Sequence, residues 1–600
     1  MANSQTTQVN RRKNRAAQLS GAAAVPAAIA KSAPRRSRHT TTLALGMLGS
    51  VLLFLAFPPV DLWWLAWAAP VSWVYLIRLR DLPGRRPYRA LWLAGSCFWL
   101  GVLYWLCLPY PPASWIGWLA LSFYLGVYLP TFVAMSRVAV HRLRCPAVVA
   151  APVVWAGLEL AQAHVITGFS MASLGHSQYR WIDLIQISDL TGHYGVSFVV
   201  MFVAACLARM CRTGPRSGTR ERSEGRYPTN APNSCVSGDI RDCWTAWPLA
   251  PLVVVVAVVL AYGHWRVGAA ELRKGAKIAL IQGSVDCELK HDPARQDLIQ
   301  RQYLELSHAA CEADPDLDLV IWPETMYRDS HCTFSKDATP PPDWPGTVDE
   351  FEEYKASMSS NKSRIGETAL WLQTPLLLGI DSMHFGRDSI EHYNSALYVD
   401  RQGRLGPRYD KTHLVLFGEY VPFAKQFPWL YQLTPLGGGL EPGVALPTFR
   451  AGEAKLAANI CYESVLAHVV RDQVDRLRRQ GDEPDVLVNL TNDGWFRGSN
   501  ELDLHLVCGV FRAVECRKPF LIAANTGLSA SIDANGRILK RGPRRETAVL
   551  VADVRLDGRA SPYVRYGDLF AGACLLAALA VALMGLRDRI RTVPWKPASR

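Results

Sequence analysis

KLAANICYES, residues 455–464, is a short apolar run that ends abruptly in a cysteine, a tyrosine and a glutamate. A run of small and apolar residues of this length is typical of a buried β-strand. Free cysteine is among the most buried residue types, so Cys461 taken alone predicts no more than a core residue. A reactive thiolate needs an activating environment, which the rest of the chain has to supply.

Seven further β-rich runs surround this stretch. They are KIALIQGSV (277–285), LDLVIWPE (317–324), TPLLLGI (374–380), NSALYVD (394–400), DVLVNLTND (485–493), PFLIAANTG (519–527) and AVLVADV (548–554). Helical stretches at 294–313 and 464–480 separate several of them, which predicts an α/β or layered α+β domain. The runs lack strict alternation, which indicates strands covered on both faces. The segment 328–365 is rich in proline and polar residues and is predicted to be a long loop or lid.

Eight long apolar stretches outside this region indicate an integral membrane protein. Half of the 600 residues are hydrophobic, and twenty are tryptophan. The stretches are 42–58, 62–77, 90–108, 115–135, 147–166, 194–211, 247–265 and 568–586. Most have about the length that a helix needs to cross a hydrocarbon core of ~30 Å, although the first two are slightly short and 147–166 carries Glu159.

The basic residues are distributed asymmetrically around these stretches. Lys and Arg exceed Asp and Glu by 65 to 52, and the excess is concentrated in 1–39, 78–89, 137–144, 209–241 and the segment after 586. The alternate loops 58–61 and 109–114 contain no basic residue. This is the positive-inside pattern, which predicts that both termini are cytoplasmic. The charge therefore reflects topology, and no nucleic-acid partner is predicted.

Five regions follow from this organisation. They are a disordered basic cytoplasmic tail (1–39), a transmembrane bundle holding spans one to seven (40–265), an extracytoplasmic catalytic domain (266–566), an eighth span (567–587) and a cytoplasmic tail (588–600).

Three polar residues occupy positions where chemistry is expected. Glu324 follows LDLVIWP, Lys411 lies within RYDKTHLVLFGEYVPF, and Cys461 follows LAANI. Taken one at a time, Glu324 is interpreted as a turn residue, Lys411 as a surface charge and Cys461 as a core thiol. α/β enzymes place their chemistry at the carboxyl ends of strands. There a carboxylate can take the thiol proton, the thiolate can attack a carbonyl, and an ammonium can stabilise the oxyanion. Such proximity would also perturb the pKa values of the three groups.

The motifs around these residues resemble a known superfamily. IWPET (321–325), YDKTHLVLFGEYVP (409–422) and NICYE (459–463) resemble the Glu-Lys-Cys signatures of the nitrilase, or carbon–nitrogen hydrolase, superfamily, and TNDGWF (491–496) with 512–538 extends the match. A nitrilase-like domain before the last of eight spans is similar to the apolipoprotein N-acyltransferase family. GFSMASLGHSQYRWIDLIQISDLTGHYGVSF (168–198) is similar to that family's membrane portion, and the resemblance covers about 42–586.

The resemblance implies a fold, a reaction and a location. The fold would be a polytopic α-helical membrane bundle of about eight spans with an inserted α-β-β-α sandwich. The reaction would move an acyl chain from a membrane phospholipid to the α-amino group of a diacylglyceryl-cysteine lipoprotein, through a cysteine thioester in a ping-pong sequence. The protein would be a monomer without a cofactor in the bacterial inner membrane, with its catalytic domain on the periplasmic side.

The resemblance also implies roles for individual residues. Glu324 would be the general base, Lys411 would hold the oxyanion, Cys461 would carry the thioester, Glu419 would support the lysine or the base, and Tyr462 and Glu463 would shape the pocket. One departure is His291, which follows Lys290 where the family often has a tryptophan, and it puts the local lid contact in doubt.

The cysteines predict neither a metal site nor a fixed disulfide framework. The 266–566 region contains six of them, namely Cys287, Cys311, Cys332, Cys461, Cys508 and Cys516. None forms a CxxC pair and no histidine pair has zinc spacing, so no metal is predicted. In an oxidising compartment Cys508 and Cys516, or Cys311 and Cys332, could pair, and the sequence leaves this open.

Two other functions remain as alternatives. A membrane-tethered amidase could hydrolyse a small amide with the same three residues, although the eight spans and the 168–198 match favour the acyltransferase. A non-catalytic transporter or scaffold is disfavoured by the intact Glu324, Lys411 and Cys461 and by the scarcity of intramembrane charge.

Overall fold

A computed structural model describes residues 37–211, 249–270, 272–290, 292–342, 344–433 and 438–592. The predictions for most of the amino-terminal tail, for the carboxyl-terminal residues 593–600 and for His291 lie outside the described residues.

The chain before residue 270 is helical, and one more apolar helix follows the β-rich domain. The helices are Ser37–Leu55, Ala69–Arg78, Pro87–Val102, Ala113–Gly126, Tyr128–His141, Ala147–His164, His193–Met210, Leu249–Gly268 and Leu569–Thr592. Within the described residues, five helical stretches are long and apolar enough to cross a membrane, namely Ala113–His141, Ala147–His164, His193–Met210, Leu249–Gly268 and Leu569–Arg587. The helix Thr41–Leu55 is apolar and shorter. Eight spans therefore remain a prediction.

The predicted span 62–77 is interrupted. The stretch 62–77 consists of a 3-10 turn, Trp63–Trp67, followed by the ten-residue helix Ala69–Arg78. At 1.5 Å per residue, ten residues reach about 15 Å, half of a hydrocarbon core. The long helices differ, because their outer faces expose apolar side chains, as at Val258 and Leu576. Exposed apolar faces of this length are what a helix presents to lipid.

The β-rich domain is built on two sheets. The strands are β1 (Leu272–Gln282), β2 (Leu319–Ile321), β3 (Tyr327–Phe334), β4 (Leu376–Phe385), β5 (Ile390–Val399), β6 (Leu405–Asp410), β7 (Phe449–Ala451), β8 (Ala454–Ile460), β9 (Val486–Thr491), β10 (Phe520–Ala524), β11 (Ala530–Ile532), β12 (Ile538–Arg541) and β13 (Ala548–Asp557). One sheet has the order β13-β1-β2-β4-β5-β6, with β3 pairing to β4, and the other has the order β12-β11-β10-β9-β8-β7. In the second sheet β8, β9 and β10 are mutually parallel, so their carboxyl ends lie at one edge.

The inner faces of the two sheets share one apolar core. Leu280 and Ile321 of the first sheet pack in the same cluster as Leu456 and Val488 of the second. Strands covered on both faces carry continuous apolar runs, which explains why the β-rich runs do not alternate.

Helices cover both outer faces of the sandwich. Gln296–Ala313 and Val348–Leu372 pack on the first sheet, and Ala467–Arg479 and Glu501–Cys516 pack on the second. The α-β-β-α layering expected from the resemblance is therefore confirmed. The helices on the second sheet share their cluster with Ile185 and Val196, which belong to the membrane portion, so this face joins the two parts of the protein.

The predicted loop or lid at 328–365 is wrong. Residues Tyr327–Phe334 form β3, and Val348–Leu372 form a helix of 25 residues. Thr347 and Glu350 make a capping box in which each side chain bonds the other's backbone N–H. Buried residues along one helix face, among them Phe351 and Ile365, hold it on the sandwich. Apolar residues are sparse among the charged residues of this segment, so its helical period is weak in the sequence.

Candidate active site

The three predicted catalytic residues each follow the end of a strand. Glu324 comes three residues after β2, Lys411 directly after β6, and Cys461 directly after β8. The first two belong to one sheet and the third to the other, so the site lies where the two sheets meet. Cys461 has a φ of 52° and begins a 3-10 turn. Positive φ is uncommon for residues other than glycine, and such strain clusters at functional sites.

Glu324 is buried and fully engaged by hydrogen bonds. Asn394 Nδ2 donates to its Oε1 at 2.7 Å, and the backbone N–H of Asn492 donates to its Oε2 at 2.9 Å. Lys411 Nζ lies 3.6 Å from Oε1. These donors fix the carboxylate in one orientation beside the lysine.

Lys411 is a buried cation and not the surface charge that its residue type suggests. Its side chain is 1% exposed, and Nζ lies 2.6 Å from Glu419 Oε1. Glu419 is held in turn by the backbone N–H of Val415, 2.8 Å from Oε2. Burial alone would lower the pKa of Lys411, but the nearby carboxylates, Glu419 first and then Glu324, outweigh burial and raise that pKa. The lysine is therefore a permanent ammonium at neutral pH.

Cys461 is protonated in the resting site. Burial raises the pKa of its thiol well above the ordinary value, the Glu324 carboxylate raises it further, and Lys411 opposes both. A thiol in this environment is a nucleophile only when a base removes its proton.

Glu463 joins the loop that carries Lys411 to the loop that carries Cys461. The Tyr409 hydroxyl donates to its two carboxylate oxygens at 2.8 and 2.9 Å, and the backbone N–H groups of Thr412 and His413 donate to Oε1 at 2.7 and 3.0 Å. On the cysteine side, the Ile460 N–H donates to Oε2 at 2.7 Å. Glu463 thus fixes the spacing of the two loops.

Tyr462 connects the site to the membrane portion. Its hydroxyl donates to the carbonyl of Gly168 at 2.7 Å, and His413 Nε2 lies 3.1 Å from the carbonyl of Thr167. The segment that follows the helix Ala147–His164 is therefore bonded to both catalytic loops.

Three further residues of the site were not predicted from the sequence. Asn394 and Asn492 bind Glu324, as described above. Lys290 is buried, its ammonium hydrogen-bonds Thr325, and burial lowers its pKa although Asp381 and Glu324 oppose that shift. A usable signal existed for Asn394 and Asn492, because each is a polar residue within a run that otherwise reads as buried strand.

A buried network supports the backbone of Cys461. Ser464 Oγ donates to the Cys461 carbonyl at 3.1 Å, and His505 Nε2 lies 2.7 Å from Ser464 Oγ. His505 Nδ1 lies 3.1 Å from Asp493 Oδ1. Burial opposes a charge on His505, but Asp493 outweighs burial and raises the pKa of the imidazole. A doubly protonated His505 donates to Asp493 on one side and to Ser464 on the other.

Asp493, Glu501 and His505 are also the one group that could hold a metal ion within the described part of the chain. Their ligand atoms lie within 4.8 Å of one another. The prediction of no metal therefore stays a prediction. The candidate disulfide partners Cys311, Cys332, Cys508 and Cys516 are all free thiols.

Two family models match the chain. The carbon–nitrogen hydrolase model matches residues 277–561, and the model of the apolipoprotein N-acyltransferase N-terminal domain matches residues 49–206. The two-sheet region is therefore a carbon–nitrogen hydrolase domain, and it follows a helical region that matches the amino-terminal domain of the acyltransferase family.

Relatives match over most of the chain. Apolipoprotein N-acyltransferase of Geobacter metallireducens is 33% identical over 91% of this chain and 95% of its own, and that of Rhodopirellula baltica is 29% identical over 88% and 94%. The chain belongs to the apolipoprotein N-acyltransferase family. Among solved structures, an amidase from Nesterenkonia sp. is 17% identical, with a TM-score of 0.32 over 49% of this chain and 95% of that one.

Proposed function

We propose that the protein transfers an acyl chain from a membrane phospholipid to the α-amino group of a diacylglyceryl-modified N-terminal cysteine on a lipoprotein. The observation that carries this proposal is a site in which Glu324 and Lys411 are buried beside the partly buried Cys461 and which is bonded to the membrane portion through Tyr462. The names of the relatives support both substrates.

In the first half-reaction Glu324 accepts the proton of the Cys461 thiol, and the thiolate attacks the ester carbonyl of the phospholipid. Lys411 stabilises the oxyanion of the tetrahedral intermediate. The carbon–oxygen bond then breaks, Glu324 returns the proton to the leaving alkoxide, and a lysophospholipid departs. The enzyme is left as a thioester at Cys461.

In the second half-reaction the neutral amine of the acceptor attacks the thioester. Glu324 accepts a proton from the attacking amine, the carbon–sulfur bond breaks, and the amide product leaves. The thiolate of Cys461 recovers a proton from Glu324. Aminolysis has to be faster than hydrolysis, which favours a site with restricted access for water.

The membrane arrangement is part of the same proposal. Eight spans with cytoplasmic termini would place the 266–566 domain on the periplasmic side of the inner membrane, in agreement with the distribution of basic residues. Both substrates are then held in the same membrane as the enzyme. A monomer without a cofactor, a metal or a nucleic-acid partner is sufficient for this chemistry.

Intact mass spectrometry tests the proposal. Purified protein incubated with phospholipid should gain the mass of one acyl chain, and hydroxylamine should remove it because thioesters are cleaved by that reagent. Cys461→Ala should gain nothing. Cys311→Ala is the matched control, because it removes a half-buried thiol of the same domain, and it should be acylated normally. Release of ammonia from a small amide, with no acyl adduct from phospholipid, would favour the tethered amidase instead.

A further inference from the structure

A cavity of about 400 Å³ lies between the β-rich domain and the membrane portion. One wall is the loop between the helices Pro87–Val102 and Ala113–Gly126, which contributes Leu108, Pro109 and Tyr110. The next long apolar helical stretch begins three residues beyond Tyr110. Residues at the end of a candidate span lie at the depth of lipid head groups if that helix crosses the bilayer.

The opposite wall belongs to the β-rich domain and is basic. It contains Arg497 and Arg545, together with Asp286. The ring of Trp495 lies 5.4 Å from that of Tyr110 across the cavity. Among the residues that line the cavity there are two guanidinium groups and one carboxylate, and aromatic rings of this kind are enriched at membrane interfaces.

The cavity adjoins the candidate active site. Cys287 lines it, and Asn492 Nδ2 lies 4.0 Å from the Cys287 sulfur. The backbone N–H of the same Asn492 donates to Glu324 Oε2 at 2.9 Å. Besides burial, the charge of Glu324 helps to raise the pKa of Cys287 to about 12, although Lys290 opposes it. Two residues, Cys287 in the cavity wall and Asn492 behind it, therefore lie between a molecule in the cavity and the Glu324 carboxylate.

We propose that this cavity binds the phosphodiester group of the acyl donor, with Arg497 and Arg545 donating hydrogen bonds to its phosphate oxygens. The inference rests on the proposed function and adds a binding site for the head-group end of the donor. Guanidinium groups match phosphate geometry and form charge-assisted hydrogen bonds with it. Anchoring the phosphate beside Asn492 keeps the donor next to Glu324 and directs its ester linkage toward Cys461.

The resting contacts of Arg545 permit this exchange. Its Nη2 lies 3.6 Å from Asp286 Oδ1, and both side chains are about half exposed. An exposed ion pair of this length contributes little stability, so a phosphate can replace the carboxylate at small cost.

The test measures the rate of Cys461 thioester formation without any acceptor, as a function of donor concentration. Arg497→Gln and Arg545→Gln should each raise KM for a short-chain phospholipid about tenfold, the factor expected for loss of one charge-assisted hydrogen bond. With p-nitrophenyl palmitate, an acyl donor that has no phosphate, both variants should react at the wild-type rate. Arg541→Gln, which removes an exposed arginine outside this cavity, is the matched control and should leave both donors unaffected.

Several results would overturn the inference. An unchanged KM for phospholipid in both variants would overturn it. An equal loss of rate with phospholipid and with p-nitrophenyl palmitate would overturn it as well. A defect confined to transfer onto the lipoprotein would assign the arginines to the acceptor. Inhibition by sodium phosphate beyond that of sodium chloride at equal ionic strength, abolished in Arg545→Gln with the donor KM unchanged, would assign the cavity to free phosphate. A wild-type protein that forms no adduct with either donor would overturn the proposed function as well.

Discussion

The reactivity of Cys461 depends on two neighbouring charges that act on its thiol in opposite directions. The Glu324 carboxylate raises the pKa of the thiol, in addition to burial, and the Lys411 ammonium lowers it. In the proposed mechanism acylation needs both groups, because Glu324 removes the proton and Lys411 stabilises the oxyanion. Alkylation by a small neutral reagent needs only the thiolate. The two reactions therefore separate the roles of the two residues.

Glu324→Gln should abolish acylation while accelerating alkylation. Without the carboxylate no base removes the proton for attack on an ester, so the rate of thioester formation should fall by at least about 10²-fold, the lower range for a lost general base. The pKa of Cys461 falls at the same time, so iodoacetamide at pH 8 should react faster than with wild type. Intact mass after timed exposure measures both rates. Slower alkylation would contradict the assignment of Glu324.

Lys411→Met should slow both reactions. Loss of the ammonium removes the oxyanion partner and raises the pKa of Cys461 further, so less thiolate is present at pH 8. Lys455→Met is the control. It removes a partly exposed lysine that pairs with Asp482, and it should change neither rate. A Lys411 variant that is alkylated at the wild-type rate would show that the lysine does not act on the thiol.

For individual residues, the sequence predicts those that lie in a recognisable motif. It does not predict contacts between residues that are far apart along the chain. Glu324, Lys411 and Cys461 were identified from their motifs and their strand ends. Asn394 and Asn492 were not, because the first comes from β5, two strands away from β2 in the same sheet, and the second comes from the other sheet. Which polar residue meets a given carboxylate depends on strand order, and a single sequence does not state strand order.

Among the elements, the two loops joined by Glu463 carry the geometry of the site. Five hydrogen bonds from backbone and tyrosine donors converge on this buried carboxylate. Glu463→Gln replaces an acceptor oxygen by an amide donor, which leaves buried N–H groups unpaired. Stability should fall by about 2–4 kcal/mol. Thermal unfolding in detergent measures the loss, and Glu453→Gln, in an exposed turn of the same sheet, should stay within about 0.5 kcal/mol of wild type.

The helix Glu501–Cys516 supports the turn at Cys461 through His505, whose charge depends on pH. The groups facing His505 are Asp493, Glu501, Ser464 and the Cys461 carbonyl. Because the folded pKa of His505 is raised above the unfolded value, its stabilisation is complete below about pH 6.5 and is lost as pH rises through the folded pKa.

The difference in unfolding temperature between wild type and His505→Gln should therefore be larger at pH 6 than at pH 9. His308→Gln is the control, because His308 is exposed and pairs with Glu312 at a helix surface, and its effect should vary little with pH. A His505 difference that stays constant between pH 6 and pH 9 would contradict a charged imidazole at this position.

Long apolar runs were the reliable signal for elements. All eight β-rich runs contain a strand, and the helices predicted at 294–313 and 464–480 are present. The strands β3, β6, β7, β11 and β12 were missed, because strands of three to eight residues without a continuous apolar run do not stand out from turns. The helix within 328–365 was missed although Thr347 and Glu350 have capping-box spacing, since proline clusters dominated the interpretation.

At the scale of the whole molecule, a buried ion network fastens the β-rich domain to the membrane portion. Arg517 bonds Asp189, with Nε at 2.8 Å and Nη2 at 2.7 Å from Oδ2, and neither side chain is exposed. Arg266 Nε lies 2.6 Å from the same oxygen, and the Tyr262 hydroxyl donates to Oδ1 at 2.7 Å. Asp189 thus compensates two cations at the joint. Sequence patterning predicted that the two parts exist but could not reveal this joint, because Asp189 and Arg517 are 328 residues apart.

Removal of Asp189 should weaken the joint between the β-rich domain and the membrane portion. Asp189→Leu leaves the buried Arg517 guanidinium and the partly exposed Arg266 guanidinium without this carboxylate, which should cost about 3–5 kcal/mol, whereas the double variant Asp189→Leu/Arg517→Met should recover at least about 1 kcal/mol of that loss. Asp400→Asn, which breaks an exposed pair with Arg404, should cost under about 1 kcal/mol. Thermal unfolding in detergent measures the stability of each variant for this double-mutant comparison. Additive costs in the double variant would mean that the pair does not couple, and that the joint depends instead on the apolar contacts of Ile185 and Val196 with the helices of the second sheet.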